Sequence, residues 1–333
     1  MEDIQCIFCK KSTDNVVIEE NGYKGRKCPE CGLIYVSLRP TFRKIQELYR
    51  FDRQATSAHQ QVFGTLSKRL YARHHVRMIR RFLQRGSILE LGSGTGEFLD
   101  EARKEGFDAY GVEINPRLSR FIDEELSIPC ENRPLDSSLF GGKKFDIVYH
   151  CDVLSHFYDP LSEFMQINAK LRDGGLVVFE TGNLGDVDLR YYRWFSSFQC
   201  PDHLFFFSAD NIMDLLSRTG FQPLRVYSFC ILPQLFFLKA VSYLIGSQTR
   251  NTMKERNAVL SSGNGEANVS KIVAKDALSC VLYLVRYKLG ALLHMKTTIP
   301  QTIVVVARKK VDAGMAGTLR TRSCDSGRSS LLQ

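Results

Sequence analysis

Several things are scarce in this 333-residue chain. Its start has no apolar run: Met1 to Cys6 carries Glu2 and Asp3 and no hydrophobic core, so no export signal is expected. No apolar stretch is long and clean enough to cross a bilayer. The two best, Ile231 to Ile245 and Leu278 to Leu293, are broken by Pro233, Gln234 and Lys239 and by Arg286 and Lys288. Amphipathic helices of that kind cover a crevice, bury a dimer partner or rest on a membrane surface, and ordinary packing is the plainest of the three. Without an export signal, the ten cysteines read as metal ligands and buried thiols of a cytoplasmic protein, not as disulfides. Acidic residues are missing between Ser67 and Ser87, where Lys68, Arg69, Arg73, Arg77, Arg80, Arg81 and Arg85 line one side of a helical pattern running from about Gln60 to Gln84. That side is either a surface for phosphate groups or a plain solvated face.

What remains is ordinary for a globular protein: 44% apolar, 24% charged, with a formal net charge of +9 that suggests anionic company without choosing it. The chain is long enough for one large α/β domain and a small appendage.

Its organising stretch is Ser87 to Leu99, Ser-Ile-Leu-Glu-Leu-Gly-Ser-Gly-Thr-Gly-Glu-Phe-Leu. A short apolar run meets Gly92, Gly94 and Gly96, and an amphipathic pattern starts at Glu97. This is a buried strand, a glycine turn and a helix start, where a nucleotide-like ligand sits against bare backbone. Dinucleotide sites follow Gly-x-Gly-x-x-Gly, but here Glu97 takes the third glycine's place. A second apolar run, Ala109 to Val112, ends in Glu113, and a carboxylate at that strand end accepts hydrogen bonds from ribose hydroxyls.

Cys6-x-x-Cys9 and Cys28-x-x-Cys31 lie eighteen residues apart with room for a hairpin between them. Each pair forms half of a tetrahedral thiolate site, so Cys6, Cys9, Cys28 and Cys31 are expected to hold a structural zinc in a ribbon. Four thiolates leave that ion no open position for catalysis.

Glu90, Gly92, Gly94 and Gly96 match the first motif of the class I S-adenosylmethionine-dependent methyltransferases, Glu-x-Gly-x-Gly-x-Gly, and the chain resembles that family. Glu113 matches its acidic second strand end. The resemblance implies a Rossmann-like, doubly wound, seven-stranded α/β sheet that binds S-adenosylmethionine. It implies that Asp136, after a weak third strand, contacts the adenine amino group; the other reading of Asp136 is a turn cap. The fourth strand, Phe145 to Tyr149, runs into His150, Cys151 and Asp152, all three expected near the methyl group, with Cys151 in the donor-binding set. Asp152-Val153-Leu154-Ser155-His156 is similar to the family's Glu-Val-Leu-Glu-His, with His156 as pocket wall or base. Pro160 to Leu171 is a helix, Asp173-Gly174-Gly175 a turn, and Leu176 to Glu180 the fifth strand.

Asn183 to Phe207, rich in aromatics and arginine, is expected to wall the acceptor site. Its Asp202-His203-Leu204 is similar to a Glu-His-Leu segment of sugar and polysaccharide methyltransferases, which makes His203 the leading candidate base. The chain is thus expected to divide into a zinc ribbon (1–38), a helical linker (39–86), the methyltransferase domain (87–230 with 300–310), a helical insertion (231–299) and an unstructured tail (311–333). The function expected is methyl transfer to a small-molecule or carbohydrate acceptor. An RNA methyltransferase, using ribbon and basic helix, and a non-catalytic binding protein are the alternatives. Contact of 231–299 with a membrane surface is a further expectation.

Overall fold

A computed structural model describes residues 1–51, 65–244, 276–292 and 296–311. Gln60–Gly64 of the basic segment, the connector Thr249–Asn268 and all but the first residue of the 311–333 tail lie outside them.

The N-terminal module is built from β1 (Val16–Glu20), β2 (Tyr23–Lys27) and β3 (Ile34–Ser37), antiparallel throughout. Asn21 and Gly22 turn the hairpin with φ of +53° and +80°. The central sheet takes β4 (Gly86–Leu91), β5 (Phe107–Val112), β6 (Cys130–Glu131), β7 (Phe145–Cys151) and β8 (Leu171–Gly182) in parallel. Between them come helices Glu97–Lys104, Pro116–Arg120 and Pro160–Lys170. After β8 a short strand, β9 (Phe205–Phe206), leaves this sheet and pairs with β3, making it the fourth strand of the N-terminal sheet. Helix Ala209–Arg218 leads to β10 (Phe221–Cys230), and β11 (Gln301–Lys309) inserts antiparallel between β10 and β8.

The order across the large sheet is β10-β11-β8-β7-β4-β5-β6. The chain starts at β4, winds outward through β5 and β6, and returns to β7 on the other side. The carboxyl ends of β4 and β7 therefore flank the switch point, where such sheets bind ligands.

Alternation along each strand sends neighbours to opposite layers. Ile88, Ile147, Val178 and Val304 pack beneath helices 66–79 and 97–104, while Leu89, Val148, Val177 and Val305 pack with Phe164, Ile167, Leu215 and the cysteine module. Within β3 the same period aims Tyr35 at the central core and Ile34 and Val36 at a smaller cluster with Ile18, Cys200 and Phe206.

Helix ends follow local chemistry. Asn115, Asp159 and Ser208 cap their helices through side-chain oxygens, Ser208 reciprocally with Asn211. Helix Leu66–Ile79 borrows its cap from the insertion: both Asp276 oxygens accept from its first amides, at 3.0 Å to Leu66 N and to Ser67 N. The insertion's helical turns at 276–289 also lay Tyr283 and Tyr287 against Tyr71 at 5.2 and 5.4 Å between ring centroids. Among the described residues no helix is long and apolar enough to cross a membrane.

Two expectations are corrected. Asp173-Gly174-Gly175 is not a turn before the fifth strand but a bulge inside β8, which begins at Leu171; the β7–β8 register slips between Phe145 and Ile147. A Cβ on Gly175 would lie 2.9 Å from Arg172 O and 3.1 Å from Asp146 O, so no larger residue fits there. The basic helix is shorter than its pattern, ending at Ile79.

Candidate functional site

The glycine turn is set by three left-handed residues, Gly92, Gly94 and Gly96, with φ of +71°, +54° and +83°. Gly92 and Ser93 amides both donate to Val112 O, at 2.9 and 3.2 Å, tying the turn to β5. A Cβ on Gly92 would reach 2.9 Å from Val153 Cγ2, and one on Gly96 would reach 2.8 Å from Leu126 Cδ1. The turn is thus pressed between the residues after β7 and the helix after β5.

Three carboxylates surround it. Glu113 Oε2 accepts from Gly94 N and Oε1 from Asn115 N, both at 2.8 Å. Glu97, in the first turn of the helix, accepts from Thr95 and pairs with Lys68. Glu90 is buried and its Oε2 has no hydrogen-bond partner. Burial, then Glu97 and Glu113, push the Glu90 carboxyl well above the usual range. Burial also raises Glu113, against the pull of its amide donors.

Next to this turn, beyond Val153, lies a cavity of about 460 Å³, lined among others by Asp152, Ser155, His156, His203, Phe206 and Arg286. The structure brings the two histidines singled out by sequence together, their rings 4.6 Å apart and nearly perpendicular. His156 Nδ1 lies 3.1 Å from the Asp202 carbonyl and 3.2 Å from Asp202 Oδ1. A carbonyl only accepts, so the neutral ring carries its proton on Nδ1 and its lone pair on Nε2. Burial, then the neighbouring His156, lower the His203 pKa to about 4, leaving it neutral but weakly basic at pH 7.

His150, Cys151 and Asp136 each make contacts of their own. β7 turns His150 to the layer opposite Cys151, away from the side expected for it, stacked on Phe179 at 5.0 Å with both ring nitrogens unpaired. Burial lowers its pKa to about 3. Cys151 points the other way, within 4.8 Å of ligand atoms on His75 and Glu180. Asp136 has both oxygens engaged in its own turn: Oδ1 accepts from Ser138 N at 2.7 Å and Leu139 N at 3.2 Å, and Oδ2 pairs with Arg133. Those partners hold its pKa down to about 2. Of its two readings, the turn cap is the one this geometry contains.

Sequence reasoning missed a buried polar cluster behind Cys151. His75 bridges Tyr149 OH at 2.6 Å and Glu180 Oε2 at 2.8 Å, and Tyr287 and Arg286 close on the same carboxylate. Its signal was a glutamate ending an otherwise apolar β8 core, a charge that burial tolerates only with partners.

At the N-terminus, the sulfurs of Cys6, Cys9, Cys28 and Cys31 all lie within 4.8 Å of one another. Each pair sits on a tight turn, closed by Lys10 N to Cys6 O at 2.9 Å and by Gly32 N to Cys28 O at 3.0 Å. Lys10 takes the left-handed conformation that Gly32 takes in the second turn, with φ of +56° and +72°.

The basic helix face is answered by acids. Arg69 and Arg73 reach Glu101 at 3.1 and 2.8 Å, and Arg80 pairs with Glu105. The helix after the glycine turn therefore neutralises much of the surface that sequence offered to phosphates.

Sheet order, switch point and glycine turn define the class, a Rossmann-like methyltransferase fold. Residues 61–226 match a family model described as a methyltransferase domain, and the chain carries a class I S-adenosylmethionine-dependent methyltransferase domain. A ubiquinone biosynthesis O-methyltransferase from Cereibacter sphaeroides is 26% identical over 149 residues, covering 41% of this chain and 60% of that protein. A tRNA U34 carboxymethyltransferase from Saccharophagus degradans is 26% identical over 158 residues, covering 43% of this chain and 47% of that one. The chain thus spans between about half and three-fifths of the length of these curated relatives. Among solved structures, geranyl diphosphate C-methyltransferase from Streptomyces coelicolor is 14% identical with a TM-score of 0.44, covering 71% of this chain and 75% of that one.

Proposed function

We propose that this protein transfers a methyl group from S-adenosylmethionine to a small-molecule acceptor, of carbohydrate type, seated in the cavity beside the glycine turn. The observation that carries this is Glu90: a buried carboxylate oxygen with no partner, beside a glycine turn also flanked by Glu97 and Glu113. That environment suits a ligand with cationic groups, and a sulfonium amino acid is one. Glu113 has spare acceptor capacity beyond its two amide bonds, room enough for two ribose hydroxyls. Once bound, the donor supplies an electrophilic methyl group.

The chain's own residues then do mostly positioning. Gly92, Gly94 and Gly96 hold the backbone close to the ligand, Cys151 stands at the neighbouring strand end, and His156 and His203 line the far side of the cavity. The aromatic wall excludes water. An acceptor with several hydroxyls fits the polar lining, which includes Ser155, Thr181 and Asp152.

The cysteine cluster fits one Zn²⁺: four sulfurs in reach of a common point, with backbone amides donating to the Cys28 and Cys31 sulfurs. The reading in which RNA is the acceptor is weakened by the ion pairs along helix 66–79. The insertion's contacts with Tyr71 support ordinary packing for its described turns and leave less of it to meet a membrane.

Calorimetry tests the donor assignment. S-adenosylhomocysteine is expected to bind with micromolar affinity and NAD⁺ not at all, with methyl transfer then scored on hydroxylated small molecules. Binding of NAD⁺ in preference would refute it, and tight, steeply salt-dependent RNA binding would restore the RNA reading.

A further inference from the structure

Asp152 stands where donor hollow and acceptor cavity meet. It follows the last residue of β7, at the switch point, and the next residue, Val153, is the one that touches the Gly92 turn. Asp152 lines the 460 Å³ cavity together with His156, His203 and Arg286. Its backbone is left-handed, φ +54°, a conformation that side-chain-bearing residues rarely take and that functional sites often store. The backbone is pinned there by Asp152 N donating to Glu180 O at 3.0 Å. The turn thus leaves Asp152 exposed where the glycine turn and the cavity adjoin.

We propose that Asp152 is a catalytic residue, the carboxylate that takes the proton released by the acceptor as its methyl bond forms. The proposal rests on the methyltransferase reading above. In the step, a lone pair of an acceptor O–H or N–H forms the bond to the methyl carbon. The carbon–sulfur bond breaks with its electron pair left on the now neutral sulfur, and the acceptor's proton passes to an Asp152 oxygen. The groups that face Asp152 suit this duty. Glu180 from β8 disfavours its charged form, while Arg286 from the insertion, His156 from the turn after β7 and His75 from helix 66–79 favour it. Asp152 is exposed at the mouth of the cavity, and partial loss of hydration, then Glu180, raise its carboxyl above the usual range, closer to neutrality than His203 at about 4.

The test needs no acceptor. Sinefungin carries an amine where the donor carries its methyl, whereas S-adenosylhomocysteine carries nothing there. Calorimetry of both ligands on the full chain, wild type and Asp152→Asn, reads the contact directly. Asparagine is the variant of choice because it tolerates the left-handed backbone. The expected result is a wild-type preference for sinefungin that fades between pH 7 and pH 5 and drops about tenfold in Asp152→Asn, while S-adenosylhomocysteine affinity stays within about threefold. Asp152→Glu should regain part of the preference. An unchanged preference in Asp152→Asn, with both ligands still bound, overturns the assignment of Asp152 alone. Failure of either ligand to bind wild type overturns the methyltransferase reading itself.

Discussion

Glu20 lies in the cysteine module, yet its removal should be felt in the acceptor wall. From the end of β1 its Oε1 accepts from Phe198 N at 3.2 Å and its Oε2 from Cys200 N at 2.8 Å, while Asn21 Nδ2 donates to Cys200 O at 2.8 Å. One hairpin turn thus grips both edges of the 198–200 loop, three residues before His203. Hydrogen bonds to a charged group contribute about 1.5–3 kcal/mol each. Glu20 is only half-buried, so water recovers part of that, and about 2 kcal/mol for the pair is the reasonable figure. Glu20→Ala should therefore raise local opening of the loop about 30-fold, one factor of ten for each 1.36 kcal/mol. Hydrogen exchange measures this at the Phe198 and Cys200 amides. Trp194, the single tryptophan, adds a fluorescence reading through acrylamide quenching. S-adenosylhomocysteine affinity should stay within about threefold, because the donor hollow shares none of these bonds. Protection at both amides within about threefold of wild type would refute the coupling, and loss of donor binding would refute its confinement to the acceptor side.

Gly96→Ala must place a methyl group 2.8 Å from Leu126 Cδ1 on a backbone with φ of +83°, so donor affinity should fall more than about tenfold and Tm by several degrees, read by calorimetry and thermal scanning. Cys28→Ser should reduce bound zinc from one per chain to near zero by elemental analysis and increase Trp194 quenching, since a module with so small a core depends on its metal; full zinc occupancy in the variant would refute the site. His150→Leu should stabilise the fold at pH 7, because two unpaired ring nitrogens leave the core. With a folded pKa of about 3 against 6.5 unfolded, wild type loses up to about 1.4 kcal/mol per pH unit below 6.5, so the variant's advantage should grow by about 2 kcal/mol at pH 5; equal or lower stability at both pH values would show that His150 has a partner.

The glycine turn was legible in the sequence because a backbone constraint has few residues to choose from. Positive φ at three alternating positions writes itself as three glycines. The cysteine pairs were legible for the same reason, although Lys10 adopts by itself the conformation for which the second pair uses Gly32. Asp136 was not decidable, since a cap and a ligand contact call for the same side chain and only the positions of Ser138 and Arg133 separate them. His150 carried a usable signal that was overlooked: it precedes Cys151 on one strand, and the period of two forbids both from facing the same hollow. The basic face could not be judged from its own residues. Its partners, Glu101 and Glu105, were visible on the next helix, but their pairing belongs to tertiary structure.

Net charge misleads most where the donor binds. A chain at +9 seems made for anions, and a helix N-terminus behind a glycine turn is where a dinucleotide would rest its diphosphate. Yet Glu90, Glu97 and Glu113 flank that turn, and burial, then the Glu97 and Glu113 charges, raise Glu90 well above its usual range. Two like unit charges at 4 Å near a protein surface repel by about 4 kcal/mol, so a diphosphate there would lose much of what the turn's amide bonds return. A cation at the same place would relieve the crowding and lower Glu90. The replacement of a glycine by Glu97 therefore does more than break the dinucleotide spacing. On the reading proposed above, a carboxylate at that helix terminus, even one paired with Lys68, favours a positive ligand over the negative one such a terminus ordinarily takes.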